Sequence, residues 1–309
     1  MTIIRKRFTH TLLPALLAAF AGFAACSSDD DAPEPPKPSG YDIYTAGYTT
    51  PASKAVATVW KNGQLLYTLT DGTNDAWAYA VCVSDGTVYA AGYERQSDRI
   101  VAKVWENGTL KYTPGAPGAD SYAYSVFAAN GSLYTAGSEE SGGALTAKIW
   151  KDGDALYAYS VSPAVSQARS VCVSGGDVYA AGHSGGAAAA WKDKELLYTL
   201  TDGSSYAEAT AVCRFGHTLY TAGYHTDGFE EEGVVWKEGQ ELFDLSDGPG
   251  SGSMPYSVAV CYDDIFTAGT IFGTTRTAVV WHGDEIRYTL SDGTGHSEAY
   301  SMYVVPLYD

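Results

Sequence analysis

Short runs of alternating apolar and polar residues recur along most of this chain, and turn residues separate them. The segment 87–112, TVYAAGYERQSDRIVAKVWENGTLKY, shows the pattern clearly. One run ends in Ala91-Gly92, a second ends in Trp105, and the pair Asn107-Gly108 leads into a third. Alternation with a period of two, enriched in β-branched and aromatic residues, is typical of strands. Because Asn-Gly tolerates the positive φ of a two-residue hairpin turn, the segment predicts three antiparallel strands.

The same pattern returns six times. Its alanine-glycine pairs end at Gly47, Gly92, Gly137, Gly182, Gly223 and Gly269. Its tryptophans stand at Trp60, Trp105, Trp150, Trp191, Trp236 and Trp281, 45 residues apart except for one interval of 41. A period of this length is typical of a four-stranded propeller blade. A residue that recurs once per blade at one register is most simply a packing anchor between blades, so we assign these tryptophans to the core.

The order of the strands predicts how the ring closes. Each repeat has a strand before its alanine-glycine strand, as at residues 78–83, so five blades are continuous when counted from Ala78. The chain begins, however, with the second strand of a blade (41–47) and ends with a first strand (299–304). The sequence therefore predicts an all-β, six-bladed β-propeller over residues 41–309. Each blade has four antiparallel strands, and the C-terminal strand joins three N-terminal strands.

The N-terminal residues predict export. Three basic residues at positions 5–7 precede an apolar run over 12–25 that suits the core of a secretory signal peptide, residues 1–25. The run ends in Phe23-Ala24-Ala25-Cys26, which resembles the lipobox of bacterial lipoproteins, although phenylalanine stands where leucine is usual. The resemblance implies cleavage before Cys26, lipidation (palmitate) of that cysteine and an outer-membrane location. A plain secretory peptide with a chance cysteine is the alternative.

Residues 26–40 predict a lipidated cysteine followed by a flexible acidic tether, because 27–40 hold no apolar residue besides alanine and proline. The run Asp29-Asp30-Asp31 is similar to the acidic export tags of Bacteroides-type surface lipoproteins; an ordinary solvated linker is the alternative. Over residues 41–309 the chain resembles the six-bladed propellers of such lipoproteins. The resemblance implies the fold and cell-surface exposure, but propellers host enzymes, lectins and scaffolds alike.

The net charge of the chain excludes some classes of binding partner. The formal net charge is −17, and removal of a signal peptide with three basic residues would make the chain more acidic. Such a charge repels nucleic acids and anionic lipid surfaces. We therefore expect no nucleic-acid partner, membrane contact through the lipid anchor only, and a monomer.

Propeller connectivity places two sets of loops on one face of the ring, which we call the loop face. They join fourth strands to first strands and second strands to third strands. One residue per blade lies just before the first strand: Trp77, Tyr122, Gln167, Glu208, Met254 and Glu298. Two residues further on lie Tyr79, Tyr124, Arg169, Thr210, Tyr256 and Tyr300. Four neighbouring blades thus present a tyrosine, and Trp77 is the one tryptophan that the repeat does not require.

This aromatic arc, with a polar interruption, predicts a site for a neutral ligand such as a carbohydrate or a peptide. We assign the site to Trp77, Tyr79, Tyr124, Arg169, Tyr256 and Tyr300. The alternative is that the tyrosines pack between blades with their hydroxyls hydrogen-bonded.

Signals for catalysis and for metals are weaker. The Asp-box pattern of sialidase propellers is absent. Arg169 with Glu208 or Glu298 would form an acid–base site on the same face, which leaves a polysaccharide hydrolase or lyase as the alternative function. His183 and His225 lie in neighbouring loops but lack a metal-ligand spacing. We predict a binding module rather than an enzyme, with no cofactor.

Four cysteines remain after Cys26. Cys82, Cys172 and Cys213 occupy one register of the first strand in different blades, and Cys261 follows in a fourth blade. Because equivalent positions in separate blades are too far apart for a disulfide, we expect free, buried thiols.

Overall fold

The computed structural model describes residues 40–51, 53–141, 143–159, 166–226, 230–245, 252–261, 264–290 and 297–307. The chain first forms β1 (Gly40–Thr49), β2 (Val56–Lys61) and β3 (Gln64–Thr68). Blade 1 then contains β4 (Asp75–Ser84), β5 (Thr87–Arg95), β6 (Ile100–Glu106) and β7 (Thr109–Tyr112). Blade 2 contains β8 (Ser121–Ala129), β9 (Ser132–Ser141), β10 (Ala144–Lys151) and β11 (Asp154–Tyr159).

Three further blades follow the same order. Blade 3 contains β12 (Ser166–Ser174), β13 (Asp177–Ser184), β14 (Ala187–Lys192) and β15 (Glu195–Thr199). Blade 4 contains β16 (Ala207–Phe215), β17 (Thr218–Thr226), β18 (Glu231–Lys237) and β19 (Gln240–Asp244). Blade 5 contains β20 (Ser253–Cys261), β21 (Asp264–Phe272), β22 (Arg276–His282) and β23 (Glu285–Thr289).

The last strand, β24 (Met302–Leu307), closes the ring. It pairs antiparallel with β1 to give a sheet in the order β24-β1-β2-β3, which is blade 6. All six sheets have four strands, so the predicted six-bladed propeller with a composite last blade is confirmed. The described part of the chain contains no helix that is long and apolar enough to cross a bilayer.

The apolar core lies between neighbouring blades. Six clusters of buried residues each join one blade to the next, including blade 5 to blade 6. Trp105 packs with Val59 of the preceding blade, and Trp191 stacks on Tyr159 of the preceding blade with 5.1 Å between ring centroids. Five of the six repeat tryptophans are at most 4% exposed, whereas Trp60 is half-buried. The tryptophans are therefore the inter-blade anchors that the repeat predicts.

The first strands differ in their bounds from the prediction in all six blades, and in blades 2–5 each begins two residues earlier than predicted. In blade 1 the strand begins at Asp75 rather than Ala78, because pairing with β5 extends to Arg95 and the Asp75 carboxylate accepts a hydrogen bond from the amide of Ala55 at 2.9 Å. In blade 6 the strand begins at Met302, three residues later than predicted. Trp77 thus lies inside a strand and not in the loop before it. The same correction applies to its equivalents in blades 2–5: Tyr122, Gln167, Glu208 and Met254.

The four cysteines in the described residues are free thiols, as predicted. Cys82 and Cys172 are buried, but Cys213 and Cys261 are half-buried, so the prediction of full burial is wrong for these two. Burial raises the pKa of Cys82 to about 12 and that of Cys213 to about 11, which keeps both thiols protonated at neutral pH.

Candidate binding face

Each of blades 1–5 has a β-bulge in its first strand. In blade 1 the pairing passes from Ala78–Gly92 directly to Ala80–Ala91, so Tyr79 has no cross-strand partner. The same shift occurs at the equivalent residue of blades 2, 3, 4 and 5. A bulge changes the direction of the extra side chain. We call the five bulged residues and the equivalent residue of blade 6 the axial ring: Tyr79, Tyr124, Arg169, Thr210, Tyr256 and Tyr300.

The glycine of each alanine-glycine pair makes room for the bulge. A Cβ atom placed on Gly92 would lie 1.9 Å from the carbonyl oxygen of Trp77 in the facing strand. The equivalent glycines of blades 2–5 are equally close, at 1.9–2.2 Å from a facing carbonyl oxygen. In blade 6, where the first strand begins after Tyr300, a Cβ on Gly47 would have its nearest described neighbour in the Trp60 ring at 3.2 Å.

The tyrosines of the axial ring form a continuous arc over four blades. Ring centroids are 5.3 Å apart between Tyr256 and Tyr300, 5.2 Å between Tyr300 and Tyr79, and 5.9 Å between Tyr79 and Tyr124. The guanidinium carbon of Arg169 then lies 4.4 Å from the centroid of Tyr124, within the range of a cation–π contact. The structure thus brings together five of the six predicted site residues; that they bind a ligand stays a prediction.

The tyrosine hydroxyls of the arc are uncharged and mostly bonded within the protein. The hydroxyls of Tyr79 and Tyr93 are 3.1 Å apart, and the Tyr300 hydroxyl donates to Glu298. Burial raises the pKa of Tyr79 well above its ordinary value, and burial raises that of Tyr124 to about 12 against the opposing effect of Arg169. The arc therefore presents half-buried aromatic rings without ionised phenols.

On the other side of the axis, Arg169 forms an ion pair across blades 3 and 4. Its Nε donates to Oε1 of Glu208 at 2.6 Å, and Glu208 is only 3% exposed. Burial opposes the charge of the guanidinium, but Glu208 and Tyr124 together raise the pKa of Arg169, so it stays protonated. Thr210 turns away from this pair, because its hydroxyl donates to the carbonyl of Pro255 at 2.6 Å. The polar side therefore carries a positive charge on Arg169 and a negative charge on Glu208, and the two neutralise each other.

His183 extends this polar side. It is 5% exposed, and its Nε2 lies 3.9 Å from Oε1 of Glu208, beyond hydrogen-bonding distance. Its Nδ1 has no hydrogen-bond partner among the described residues. Burial lowers the pKa of His183, Glu208 opposes that effect and Arg169 adds to it, so the imidazole is neutral at pH 7. The exposed ring of Tyr206 lies beside it, with 5.7 Å between centroids.

Trp77 belongs to an aromatic layer next to the arc. Inside β4 it pairs with Tyr93 of β5, and their ring centroids are 5.3 Å apart. Its ring also lies 6.3 Å from Tyr48 of blade 6, edge to face. Tyr93 stacks on Tyr79 at 5.3 Å, so Trp77 reaches the arc through Tyr93. The Trp77 side chain is half-buried, unlike the repeat tryptophan Trp105.

Sequence reasoning did not assign Tyr48, Tyr93 or His183 to the site. All three occupy the position directly after an alanine-glycine pair, and this position lies beside the axial ring. The position was visible in the repeat, but its direction follows from the bulge in the facing strand. The repeat therefore showed that this position recurs in every blade, but not that its side chain lies beside the axial ring.

The sequence allowed Arg169 to pair with either Glu208 or Glu298, and the structure forms the pair between adjacent blades. Arg169 contacts Glu208, while Glu298 pairs with Arg276 at 2.5 Å. The described residues contain no group of three or more His, Cys, Asp or Glu side chains that could hold a metal ion. His225 instead lies 3.7 Å from Glu232. Both carboxylates considered for that site, Glu208 and Glu298, are thus paired with arginines.

Comparison with known proteins adds no functional assignment. No model of a known protein family matches the chain, and no curated protein is similar to it in sequence. The predicted signal peptide and Cys26 lie outside the described residues.

Proposed function

We propose that this protein is an exported, lipid-anchored propeller that binds a neutral glycan on its loop face. The observation that carries the proposal is the arc of Tyr256, Tyr300, Tyr79 and Tyr124, which spans four neighbouring blades and is backed by Trp77. Aromatic rings pack well against the apolar faces of amphipathic ligands, and a few convergent polar groups then fix the orientation.

The charges of the face favour a neutral ligand. Arg169 is already paired with Glu208, and the Tyr124 ring covers part of its guanidinium. An anionic ligand would have to compete with that buried carboxylate, and the chain as a whole carries a net charge of −17. A polyhydroxylated ligand needs no such exchange, because hydroxyls both donate and accept hydrogen bonds.

The hydrolase or lyase alternative has weaker support. A general acid or base must be able to transfer a proton to the substrate. Glu208 accepts a hydrogen bond from Arg169 and lies 3.4 Å from the Tyr224 hydroxyl, and Glu298 is held by Arg276 and Tyr300 in the same way. These partners occupy the oxygens of both carboxylates, which leaves the carboxylates suited to positioning rather than to proton transfer.

Export and anchoring are supported by the sequence. The signal-like residues 1–25, the lipobox-like segment ending in Cys26 and the polar residues 27–40 would place the propeller outside the cytoplasm on a short tether. We place it in the bacterial outer membrane, with the propeller at the cell surface.

A glycan array probed with the soluble chain that begins after Cys26 tests the proposal, and two tryptophans provide matched variants. Trp77→Ala should leave the melting temperature nearly unchanged, because Trp77 is half-buried, and should weaken glycan binding by about 1–3 kcal/mol. Trp105→Ala should instead destabilise the fold by about 3–5 kcal/mol, because it opens a cavity between blades 6 and 1.

The proposal would be wrong if no glycan is retained, or if retained glycans bind Trp77→Ala as tightly as the unchanged protein. Retention of peptides in place of glycans on a parallel peptide array would assign the face to the other ligand class. Equal losses of melting temperature in both variants would show that Trp77 is a core residue.

A further inference from the structure

A pocket of about 520 Å³ opens on the loop face beside the aromatic layer. It lies between the loop that joins β5 to β6 and the loop that joins β7 to β8. Its lining residues are Asp98, Arg99, Gly118, Ala119, Asp120 and Glu140. Two hydrogen bonds hold its walls: the amide of Ile100 donates to the Asp120 carboxylate at 2.9 Å, and the amide of Glu140 donates to the Asp120 carbonyl at 2.9 Å. The volume is within the usual range of ligand pockets.

The polar groups of this pocket are suited to hydroxyls. The Nε of Arg99 is shielded from solvent and has no hydrogen-bond partner in the described part of the chain. Asp98, Asp120 and Glu140 add carboxylates around it. A free anion would meet these carboxylates, and a free cation would meet the guanidinium. A sugar hydroxyl can accept from Arg99 and donate to a carboxylate at the same time, so it satisfies both.

Tyr122 connects the pocket to the axial ring. Its ring stacks on Tyr124 with 5.9 Å between centroids and an interplanar angle of 14°, and it meets Tyr93 edge to face at 5.2 Å. Tyr122 follows the pocket residue Asp120 by two positions, and its neighbour Ser121 pairs with Glu139, which precedes the pocket residue Glu140. A half-buried aromatic surface therefore runs outward from the axis along the junction of blades 1 and 2 and ends at the pocket.

We propose that the ligand of the loop face is an extended neutral oligosaccharide that lies along this junction, with one end over the axial ring and the other in the outer pocket. The inference rests on the proposed function, because it extends the same face outward. It assigns the ligand a length: a chain long enough to pass over Tyr122, rather than a single sugar above the axis.

Calorimetric titration of the same soluble chain with cello-, laminari- and N-acetylchito-oligosaccharides, each from dimer to hexamer, tests the proposal. For at least one series, affinity should rise with chain length. Arg99→Ala should weaken binding of the hexamer about tenfold, the loss expected when hydrogen bonds to a charged group are removed, and should leave binding of the dimer unchanged. Arg287→Ala is the control, because Arg287 is an exposed arginine of β23 in blade 5 and does not line the pocket.

The outcomes separate the two proposals. Dimers and hexamers of equal affinity would overturn the extended mode and leave the axial site standing. An Arg99→Ala loss that is the same for dimer and hexamer, or no larger than that of Arg287→Ala, would also overturn it. Absence of binding in every series would overturn the extended mode, and a glycan array that also retains nothing would overturn both proposals. Tyr122→Ala provides a second variant with the same expected length dependence, and melting temperatures of all variants confirm that they fold.

Discussion

Replacing Gly92 with alanine tests whether the bulges of the first strands hold the axial ring in place. Gly92 faces the bulge at Tyr79, and its added Cβ would lie 1.9 Å from the carbonyl oxygen of Trp77 and 2.9 Å from the carbonyl carbon. Both atoms belong to the backbone, so no side-chain rotation can relieve the overlap. The two strands would have to separate, or the bulge would have to be lost.

The expected cost is large for a single methyl group. Ordinary overpacking in a core costs about 1–3 kcal/mol, and overlap with rigid backbone belongs with the exceptional substitutions above about 4 kcal/mol. Gly47→Ala is the matched control, because its Cβ would lie 3.2 Å from the edge of the Trp60 ring. A shift of a few tenths of an ångström relieves that contact, and the lower entropy of the unfolded alanine chain offsets about 0.4–1 kcal/mol. We expect a net change for Gly47→Ala within about 1 kcal/mol.

Thermal unfolding followed by circular dichroism measures the difference. In a domain of this size each kcal/mol corresponds to about 2–4 °C, so Gly92→Ala should melt on the order of 10 °C below Gly47→Ala or fail to fold. If the two variants melt within about 3 °C of each other, the bulge at Tyr79 is not maintained by Gly92 and the geometry of the axial ring needs another cause.

Three further experiments test the anchor, the ring closure and the thiols. Cys26→Ala should move the protein from the membrane fraction to the soluble fraction, and a variant that still sediments with membranes and carries labelled palmitate would exclude the anchor at this residue. Deletion of residues 299–309 removes β24 and its inter-blade packing, so it should lower the melting temperature far more than deletion of a surface loop; near-native melting would refute the closure. The four remaining cysteines should resist alkylation in the native state and react completely in denaturant without reductant, because burial raises their pKa. Protection of any pair would reveal a disulfide.

The repeat made the architecture predictable because every blade packs against its neighbour in the same way. A tryptophan that reaches the preceding blade must stand at one register in every copy, as Trp105 and Trp191 do. Closure was predictable for the same reason, since a missing first strand at one end of the chain matches an extra one at the other. Strand ends were less predictable. The polar start of β4 is ordered by its partner strand, and local alternation carries no information about that partner.

The partner of Arg169 could not be read from the sequence, because Glu208 and Glu298 occupy equivalent positions in their blades. Only the order of blades around the ring distinguishes them. Glu208 belongs to blade 4, next to the blade of Arg169, whereas Glu298 belongs to blade 6 and finds Arg276 of blade 5. The bulges could not be read from the sequence either. The alanine-glycine pair was visible six times, but the reason for its glycine is a carbonyl oxygen in another strand.

At each bulge, the fold constrains the neighbouring alanine and glycine but not the bulged residue itself. Alanine and glycine around the bulge are fixed by close backbone contact, as Ala78 and Gly92 show. The bulged residue itself has no cross-strand partner, so its identity is free of the constraints that maintain the blade. The five bulged positions accordingly carry tyrosine three times, arginine once and threonine once, and blade 6 adds Tyr300 from just before its first strand. The Thr210 hydroxyl donates to the Pro255 carbonyl. Because position 210 is a threonine, the axial ring has no aromatic side chain between Arg169 and Tyr256. Departures from the repeat, rather than the repeat itself, therefore give the loop face its aromatic side and its polar side.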